Sequence, residues 1–281
     1  MPSVGVVIVT YNNDRTLLRS LEALLGGSRP PDEVVVVDNA SSDGRPLEAA
    51  ERLDELIRVV REPSNLGFCA TNNVGYQALG EHPHVLFLNP DAFVTATFLA
   101  DAIGRLEREP TIGAVGPKLS GFDVTSSAPT GRIDSTGIYQ TAYGRYYDRG
   151  RGEVDRGQYD GPPADVPALC AAAMLCRRAA LDDVAPPDGA VFDESFFMYK
   201  EDIDLSLRLR RHGWRLVVDP SLVVYHCRGS SGDRRTMPAW ARRRSVGNEW
   251  RIWRKGLLPW RRRVPTLGYL VVKSILVRAG F

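Results

Sequence analysis

Residues 4–38 read VGVVIVTYNNDRTLLRSLEALLGGSRPPDEVVVVD, and this stretch sets the pattern for the first half of the chain. A continuous, β-branched apolar run opens the stretch and another closes it, as in parallel strands that are buried on both faces. Between them, leucines recur at helical spacing until Gly26 and Gly27, which end a helix predicted from Asp14 to Leu25. Strand, helix and strand in this order predict a parallel sheet wound by right-handed crossovers.

The same alternation continues beyond this stretch. Strands are predicted at 57–60 and 85–88, and helices at 45–54 and 70–79. Residues 118–167 lose the pattern and form either a loop-rich insertion or a pair of twisted hairpins. Further predicted elements are a strand at 168–176, a short helix at 178–183, and strands at 215–218 and 222–226.

The composition predicts a soluble globular protein with an uneven distribution of charge. The 281 residues are 43% hydrophobic, enough to bury a sizeable core. Residues 234–281 hold 13 Lys and Arg and one acidic residue, whereas residues 1–233 hold 23 basic and 33 acidic residues. Four tryptophans interleave with these arginines, which favours a helix lying in a lipid interface. The alternatives are a solvated basic helix whose Trp residues pack on the body and, less favoured, a contact with nucleic acid.

The location of the protein is predicted from what the sequence lacks. Met1 leads almost directly into a strand, so no signal peptide is expected, and the apolar run at 264–272 is too short to span a bilayer. We therefore expect a cytoplasmic protein, peripheral on the inner face of the cell membrane. The four cysteines form no CxxC pair, which indicates reduced thiols without a metal or redox role.

Sequence motifs of several enzyme classes are absent. The chain has no GxxxxGK[ST] phosphate loop, no GxGxxG after a strand, no HExxH and no GxSxG. This argues against P-loop kinases, dinucleotide dehydrogenases, zinc proteases and α/β-hydrolases. Ligands of parallel sheets bind beyond the carboxyl ends of the strands. That rule marks three segments, namely Thr10-Tyr11-Asn12, Asp38-Asn39 and Asn89-Pro90-Asp91.

Two of the strand-end residues are acids with more than one interpretation. Asp38 can accept a hydrogen bond from a pyrimidine ring or a ribose hydroxyl, or it can cap the next helix. Asp91, with water and phosphate oxygens, can hold Mg²⁺ or Mn²⁺, or it is a turn residue. His226 ends a later predicted strand and becomes a ligand only if the fold brings it to Asp91.

Residues 195–214, SFFMYKEDIDLSLRLRRHGW, place three acids directly after a run of aromatic side chains. Alternating apolar residues from Ile203 to Leu209 suggest a strand by period alone. The acids at one end and the basic residues before Gly213 at the other match the charge order that a helix dipole favours. A helix is the preferred interpretation, and its first turn would carry Glu201, Asp202 and Asp204.

Five ordered stretches resemble the family 2 glycosyltransferases with the GT-A fold, most closely their rhamnosyltransferase-like branch. They are VVIVTYNNDRTLLRSLEAL, EVVVVDNASSDG, NLGFCATNNVGYQAL, HVLFLNPDAFV and VFDESFFMYKEDIDLSLRLRRHGWRLVVDPSLVVYH, and they cover most of residues 3–228. The resemblance implies an α/β fold with a Rossmann-like, mostly parallel central sheet and flanking helices. It implies a domain at 1–233, divided into a nucleotide-binding half (1–117) and an acceptor-binding, catalytic half (118–233). Residues 234–281 would be a basic, Trp-rich, amphipathic helical extension.

The resemblance also implies roles for individual residues. The nucleotide pocket would be formed by Thr10, Tyr11, Asn12, Asp38, Asn65, Gly67, Asn73, Asn89 and Asp91. Asn89 stands where the family's Asp-x-Asp motif has its first Asp, which leaves Asp91, with His226, to hold the metal. Asp202 matches the catalytic base, and Glu201 orients it or touches the acceptor. Tyr199 and Trp214 are candidates for the acceptor wall, core packing being the alternative for Trp214.

The implied activity is inverting transfer of a sugar from a nucleoside diphosphate donor, with Mg²⁺ or Mn²⁺, to a glycan or lipid-linked glycan in cell-surface polysaccharide synthesis. The best expectation for the donor is dTDP-L-rhamnose, and UDP-hexoses or UDP-N-acetylhexosamines are the alternatives. The acid pair and its aromatic cover are expected to raise the pKa of the base. The rival interpretations are a catalytically degenerate nucleotide-binding module at the membrane and a nucleotidyltransferase, which would need a Gly-rich basic loop after the first strand.

Overall fold

The predicted alternation of strands and helices is present in the computed structural model, which describes residues 1–13, 15–227 and 238–278. The first four strands are β1 (Val4–Thr10), β2 (Glu33–Asp38), β3 (Ile57–Arg61) and β4 (His84–Leu88). Between them lie α1 (Leu17–Leu25), α2 (Arg45–Leu53) and α3 (Phe68–Ala78). Asp14, the predicted start of the first helix, lies outside the described residues.

The rest of the chain, from residue 92 onward, completes the sheet and adds helices. Its elements are β5 (Ala92–Val94), α4 (Phe98–Arg108), β6 (Ile112–Asp123), β7 (Ala128–Ser135), β8 (Ile138–Gln140), β9 (Tyr146–Asp148), β10 (Ala164–Asp165), β11 (Ala173–Arg177), α5 (Arg178–Val184), α6 (Glu201–Arg211), β12 (Arg215–His226), α7 (Ala239–Arg254) and α8 (Trp260–Arg278). A short 3-10 turn, Glu194–Phe196, precedes α6. The predicted boundary after residue 233 lies outside the described residues.

Three sequence predictions about this half are resolved by the observed pairing. The region 118–167 contains two antiparallel pairs, β6 with β7 and β8 with β9, so the hairpin alternative is the one observed. The strand predicted at 168–176 begins only at Ala173. The two strands predicted at 215–218 and 222–226 are one strand, β12, because an irregularity between Asp219 and Val223 interrupts its pattern without ending its pairing. The helix interpretation of residues 201–211 is confirmed.

The central sheet is mixed and mostly parallel. Its path runs β10-β12-β6-β11-β4-β1-β2-β3, with β5 paired to β12 and β7 to β6. The pairs β3-β2, β2-β1, β1-β4 and β12-β6 are parallel, whereas β11 is antiparallel to both of its neighbours. In this register Thr10 lies opposite Asp38, so the residues that follow β1 and β2 lie close together at the carboxyl end of these parallel strands. The predicted α/β architecture is confirmed.

Helices cover both faces of the sheet at β1, β2 and β4, which explains why these strands are mostly apolar and buried. Val6 and Ile8 pack with α1, α2 and α4, whereas Val7 and Val9 pack with α3, α5 and α6. Alternate side chains of one strand therefore enter two different cores, and neither face is left to water. All four cysteines are free thiols, as expected.

The two C-terminal helices pack on the body and on each other. The indole Nε1 of Trp250 donates to Ser274 Oγ at 2.9 Å, and that of Trp253 donates to the Arg263 carbonyl at 2.9 Å. α8 also lies against the turn between β8 and β9, where a Cβ on Gly144 would lie 2.5 Å from Thr266 Cα. Trp240 and Trp260, in contrast, are exposed. Among the described residues, no helix is long and apolar enough to cross a membrane.

Candidate active site

The loops after β1 and β2 interlock through side-chain hydrogen bonds. Asn12, at φ +50, receives at its Oδ1 the backbone N–H of Ser42 at 2.8 Å, and its own N–H donates to Ser41 Oγ at 2.8 Å. Thr10 and Asn12 line a cleft of about 190 Å³ together with Ser41, Ser42 and Asp43. The predicted neighbourhood of Thr10, Asn12 and Asp38 is therefore present, while Tyr11 is half-exposed beside it.

Asp38 is buried and its carboxylate is engaged locally. It accepts the backbone N–H of Ser41 at 3.1 and 3.2 Å, so it stabilises the turn after β2 and does not cap α2, which begins at Arg45. The adjacent Asn39 donates to Asn65 Oδ1 at 3.0 Å and accepts from Leu66 N at 2.8 Å. Through Asn39, a residue without an assigned role in the sequence prediction, the loop after β2 is joined to the segment before α3.

Asn73 and Gly67, which the resemblance assigns to the nucleotide pocket, both contact the segment before α6. Asn73 is buried, donates to the Phe192 carbonyl at 2.9 Å and accepts the Phe192 N–H at 2.9 Å, so it holds the segment before α6 instead of facing a nucleotide. Gly67, at φ +85, lies where a Cβ would overlap the ring of Phe197. The close approach that this glycine allows is therefore that of an aromatic ring from the segment before α6.

The fold brings His226 to Asp91, the condition under which this histidine could be a ligand. Its Nε2 lies 3.3 Å from Asp91 Oδ1, and Asn89 Nδ2 lies 3.5 Å from the same nitrogen. On the other side of the ring, Nδ1 lies 2.8 Å from Asp134 Oδ2. A carboxylate accepts the Nδ1 proton, so the lone pair of the neutral ring is at Nε2, which faces Asp91.

Asp91 and His226 fit a divalent cation whose other ligands are water and substrate phosphates. Within residues 1–13, 15–227 and 238–278, no group of three or more His, Cys, Asp or Glu side chains is placed to hold a metal. Asp91 and His226 supply two donor atoms, and Mg²⁺ sites commonly combine one or two protein ligands with water and substrate phosphates. Burial opposes protonation of His226, but attraction from Asp91 and the bond to Asp134 outweigh it and raise its pKa to about 9. A cation would have to displace that proton.

Glu201 and Asp202 lie in the first turn of α6, directly after the aromatic-rich residues 196–199. Glu201 Oε2 is buried and has no hydrogen-bond partner among the described residues. Burial first, and then the charge of Asp202, raise the pKa of the Glu201 carboxyl. Asp202 Oδ1 accepts the backbone N–H of Ile203 at 2.8 Å. The raised pKa that was expected for the base Asp202 is therefore found at its neighbour, Glu201.

Asp204, the third acid of this cluster, is a structural residue. It is buried between two cations, with Arg208 Nε at 2.9 Å from Oδ2 and Lys255 Nζ at 2.6 Å from Oδ1. Lys255 also lies 2.6 Å from Asp193 Oδ2. This network ties α6 to the residue that follows α7.

A cavity of about 790 Å³ is lined by most of the predicted catalytic and metal-binding residues. Asn89, Asp91 and His226 line it together with Tyr199, Glu201 and Asp202. Trp214 does not line it. Its ring packs against Gly113 and its Nε1 donates to Asp183 Oδ2 at 3.0 Å, in agreement with the packing alternative.

Several lining residues were missed by the sequence prediction. The β8–β9 region contributes Tyr147, Asp148 and Arg151, and α7 and α8 contribute Arg242, Lys273, Leu276 and Val277. No spacing in the sequence marks these residues or Asp134, because each reaches the site only through long-range packing. A buried Asn in the arginine-rich α7, Asn248, carried a weak signal, since Asn is a poor residue for a helix interior unless its side chain has a partner.

Comparison with known proteins decides the family. The model for the family described as "Glycosyltransferase like family 2" matches residues 2–245. The chain belongs to the family 2 glycosyltransferases. An N-acetylglucosaminyl-diphospho-decaprenol L-rhamnosyltransferase of Mycobacterium tuberculosis is 30% identical to this glycosyltransferase over 243 residues, which cover 82% of this chain and 77% of the relative.

Solved structures identify the fold of this glycosyltransferase as GT-A. GalNAc-T7 with UDP, GalNAc and Mn²⁺ aligns with a TM-score of 0.67 and 14% identity, covering 90% of this chain. This chain spans about half of that protein, since the alignment covers 48% of it. The mannosyltransferase PcManGT of Pyrobaculum calidifontis, in complex with GDP-Man and Mn²⁺, aligns with a TM-score of 0.63 and 19% identity over 99% of this chain and 74% of that protein.

Proposed function

We propose that this glycosyltransferase transfers L-rhamnose from dTDP-L-rhamnose, with inversion, to a lipid-linked glycan. One observation carries the proposal: the acids Glu201 and Asp202 share a cavity with Asp91 and His226, and also with apolar side chains of α8. A relative that is 30% identical is named for rhamnosyl transfer to a diphospho-decaprenol carrier, which supports both the donor and the class of acceptor.

The reaction is a displacement at the anomeric carbon of the donor sugar. An acceptor hydroxyl attacks this carbon, and the bond to the nucleoside diphosphate breaks with its electron pair on the departing oxygen. Asp202 takes the proton of the hydroxyl as the new C–O bond forms, and a positioned base of this kind contributes about 10²- to 10⁴-fold to the rate. Glu201, whose pKa is raised, retains its proton more readily and can donate a hydrogen bond to the acceptor.

Asp91 and His226 would hold a divalent cation, Mg²⁺ or Mn²⁺, together with water and diphosphate oxygens. When bound, this cation would neutralise the charge that develops on the departing diphosphate. Asp134 keeps the His226 ring oriented with Nε2 towards Asp91. Asn89 supplies an amide where a carboxylate would bind more strongly, so we expect modest metal affinity in the absence of nucleotide.

The pyrimidine of the donor would bind near Thr10, Tyr11 and Asp38. A thermal-shift panel of dTDP, UDP and GDP, each with and without Mn²⁺, tests this assignment, with dTDP expected to give the largest stabilisation. Greater stabilisation by UDP would favour a UDP-hexose or UDP-N-acetylhexosamine donor. No response to either pyrimidine nucleotide would refute the donor site.

The acceptor class is supported by the wall that α7 and α8 contribute. Arg242 lines the cavity beside Leu276 and Val277, together with Lys273, whose Nζ is paired with Glu249 Oε2 at 2.8 Å, so charged and apolar groups lie close together. A polyprenyl diphosphate presents the complementary pair, an anionic head and an apolar chain. We expect transfer to N-acetylglucosaminyl diphospho-polyprenol and little transfer to a soluble N-acetylglucosaminide. Equal use of both acceptors would overturn the lipid assignment.

We propose that the outer face of α8 contacts a membrane surface. Its exposed apolar side chains recur at helical spacing, as Val264, Leu267, Val271, Val272 and Ile275. Residues 238–278 hold eleven Lys and Arg and one acidic residue, so this surface suits anionic lipids at the cytoplasmic face. The exposed Trp260 at the start of α8 is typical of a lipid interface.

Vesicle flotation tests the membrane assignment. The wild-type protein should float with vesicles that contain phosphatidylglycerol, and Ile275→Asp should remain largely in the soluble fraction. Val154→Asp, which adds the same charge at an exposed valine that is not part of α8, is the matched control and should float normally. Equal flotation of the two variants would exclude α8 as the contact.

The rival function is a nucleotide-binding module without catalysis, suggested by Asn89 in place of an acid. Donor turnover discriminates between the two. Stabilisation by dTDP without transfer to any lipid-linked or soluble acceptor, and without hydrolysis of the donor, would favour the rival.

A further inference from the structure

The segment immediately before α6 has an unusual backbone. Phe197, Tyr199 and Lys200 all have positive φ, at 60°, 73° and 73°. Non-glycine residues in sparsely populated regions cost about 1–3 kcal/mol each and persist only where their surroundings enforce them. Tyr199, Lys200 and the two acids that follow all line the cavity. The conformation of this turn therefore determines where the acids lie.

A single side chain from α7 binds the carbonyl groups of this turn. Asn248 is fully buried, and its Nδ2 lies 3.0 Å from the Phe196 carbonyl oxygen, 2.9 Å from that of Met198 and 2.7 Å from that of Tyr199. The amide has two N–H groups, so three acceptors share two protons. Its own Oδ1 accepts from Arg251 Nη1 at 2.7 Å, which fixes the orientation of the amide.

Other contacts of α7 reinforce the same turn. The guanidinium of Arg244 lies 4.4 Å from the centre of the Phe197 ring, and Lys200 Nζ lies 3.8 Å from the buried Glu249. From the opposite side, the backbone N–H of Cys69 donates to the Phe197 carbonyl at 3.2 Å. The turn is thus held between α3 and α7, and Asn248 supplies the contacts to its carbonyl groups from α7.

We propose that Asn248 is a positioning residue for catalysis, because it locks residues 196–200 in the conformation that presents Glu201 and Asp202 to the cavity. It lies beyond residues 2–245, the part matched by the family model. The C-terminal helices would then position the catalytic acids in addition to lining the cavity. The kinetic tests of this proposal rest on the proposed function, whereas its structural test does not.

Asn248→Ala and Asn248→Asp test the proposal. The first removes the amide, and the second keeps its shape but replaces the donor with a carboxylate that faces three carbonyl oxygens. Displacement of a catalytic group by about 1 Å can cost about 10²-fold, so we expect kcat to fall by about 10- to 100-fold in both variants. The donor KM and the Kd for nucleotide should change less than about twofold, because the strand-end loops that would bind the nucleotide are untouched.

Ile252→Ala is the matched control on the same helix. Ile252 is equally buried and packs in the same core, but its side chain has no hydrogen-bond donor, so its truncation destabilises α7 without removing a hydrogen bond to the turn. Assays are made at a temperature where all variants are folded by circular dichroism. If kcat falls no further in Asn248→Ala than in Ile252→Ala, or if the loss appears in the donor KM, the positioning role is wrong.

Hydrogen exchange gives a readout that is independent of activity. In the full-length protein without substrate, Asn248→Ala should accelerate exchange in residues 196–204 at least tenfold, whereas Ile252→Ala should not do so selectively. Unchanged exchange in this segment would overturn the proposal. If the wild-type protein transfers no sugar, the proposed function fails, but hydrogen exchange still decides whether Asn248 holds the turn.

Discussion

His226 Nδ1 lies 2.8 Å from Oδ2 of Asp134, a carboxylate 92 residues earlier in the chain. The same ring presents Nε2 to Asp91 at 3.3 Å. A carboxylate behind a ligating histidine fixes its tautomer and raises its basicity. This arrangement makes Asp134 part of the proposed metal site although it faces the far side of the ring.

Asp134→Asn should weaken Mn²⁺ binding by about 10- to 100-fold, because the amide no longer holds the ring by a charged hydrogen bond. Calorimetric titration of Mn²⁺ in the presence of dTDP measures the effect without catalysis. Asp155→Asn, which changes a carboxylate paired with Lys118, is the control. Equal Mn²⁺ affinity in wild type and Asp134→Asn would remove Asp134 from the metal site.

Asp202→Asn should reduce sugar transfer by about 10²- to 10⁴-fold, because an amide cannot take the proton of the acceptor hydroxyl. Stability and nucleotide affinity should stay close to those of the wild type, since the amide oxygen can still accept from Ile203 N. Single-turnover transfer and thermal unfolding measure the two effects. A folded Asp202→Asn enzyme with full activity would assign the base elsewhere.

Glu201 should make stability fall with rising pH. Its folded-state pKa lies above the ordinary 4.5, so the folded protein retains a proton that the unfolded chain has lost. The stability contributed by this proton is complete below pH 4.5 and is lost as pH rises through the folded-state value. Between about pH 5 and about pH 8, wild type should lose unfolding free energy relative to Glu201→Gln, with a slope of at most about 1.4 kcal/mol per pH unit.

Urea unfolding at a series of pH values measures this difference. Glu55→Gln, which changes an exposed carboxyl, should keep the pH dependence of the wild type. Parallel curves for wild type and Glu201→Gln would mean that the carboxyl is not shifted in the folded protein.

Asp204→Asn should lower the free energy of unfolding by about 3–5 kcal/mol, because Arg208 and Lys255 lose the buried charge that compensates them. Asp165→Asn breaks the exposed pair with Arg215 and should change stability by less than about 1 kcal/mol. Urea unfolding compares the two variants. Similar small losses in both would contradict the structural role of Asp204.

Gly67→Ala should destabilise the protein and reduce activity together, because the new methyl group overlaps the ring of Phe197 and the residue has positive φ. Gly131 also has positive φ but has open space around it, so Gly131→Ala is the reference for a positive-φ glycine replaced without a steric overlap, at a cost of about 1–2 kcal/mol. We expect Gly67→Ala to lose about 1–3 kcal/mol more than this control. Equal losses would show that the Phe197 contact is unimportant.

Much of the first 117 residues could be predicted because their signals are local. Buried parallel strands require continuous apolar runs, and crossover topology brings Thr10 and Asp38 to one edge of the sheet. The helix of the acid cluster was also predictable from its charge order. The merged strand β12 was not, because its irregular pairing near Asp219 looks in sequence like a break between two strands.

The sequence alone determined the sheet, the strand-end acids and the presence of a basic, Trp-rich C-terminal segment, since these depend on residue type and short-range period. Only the tertiary structure decided which acid has a raised pKa, which carboxylate lies behind His226 and which amide binds the turn before α6. Burial and hydrogen-bond partners set those properties, and the partners of His226 and of this turn lie 92 and about 50 residues away along the chain. Long-range packing therefore makes the proposed catalytic cavity from side chains whose spacing in sequence does not predict it.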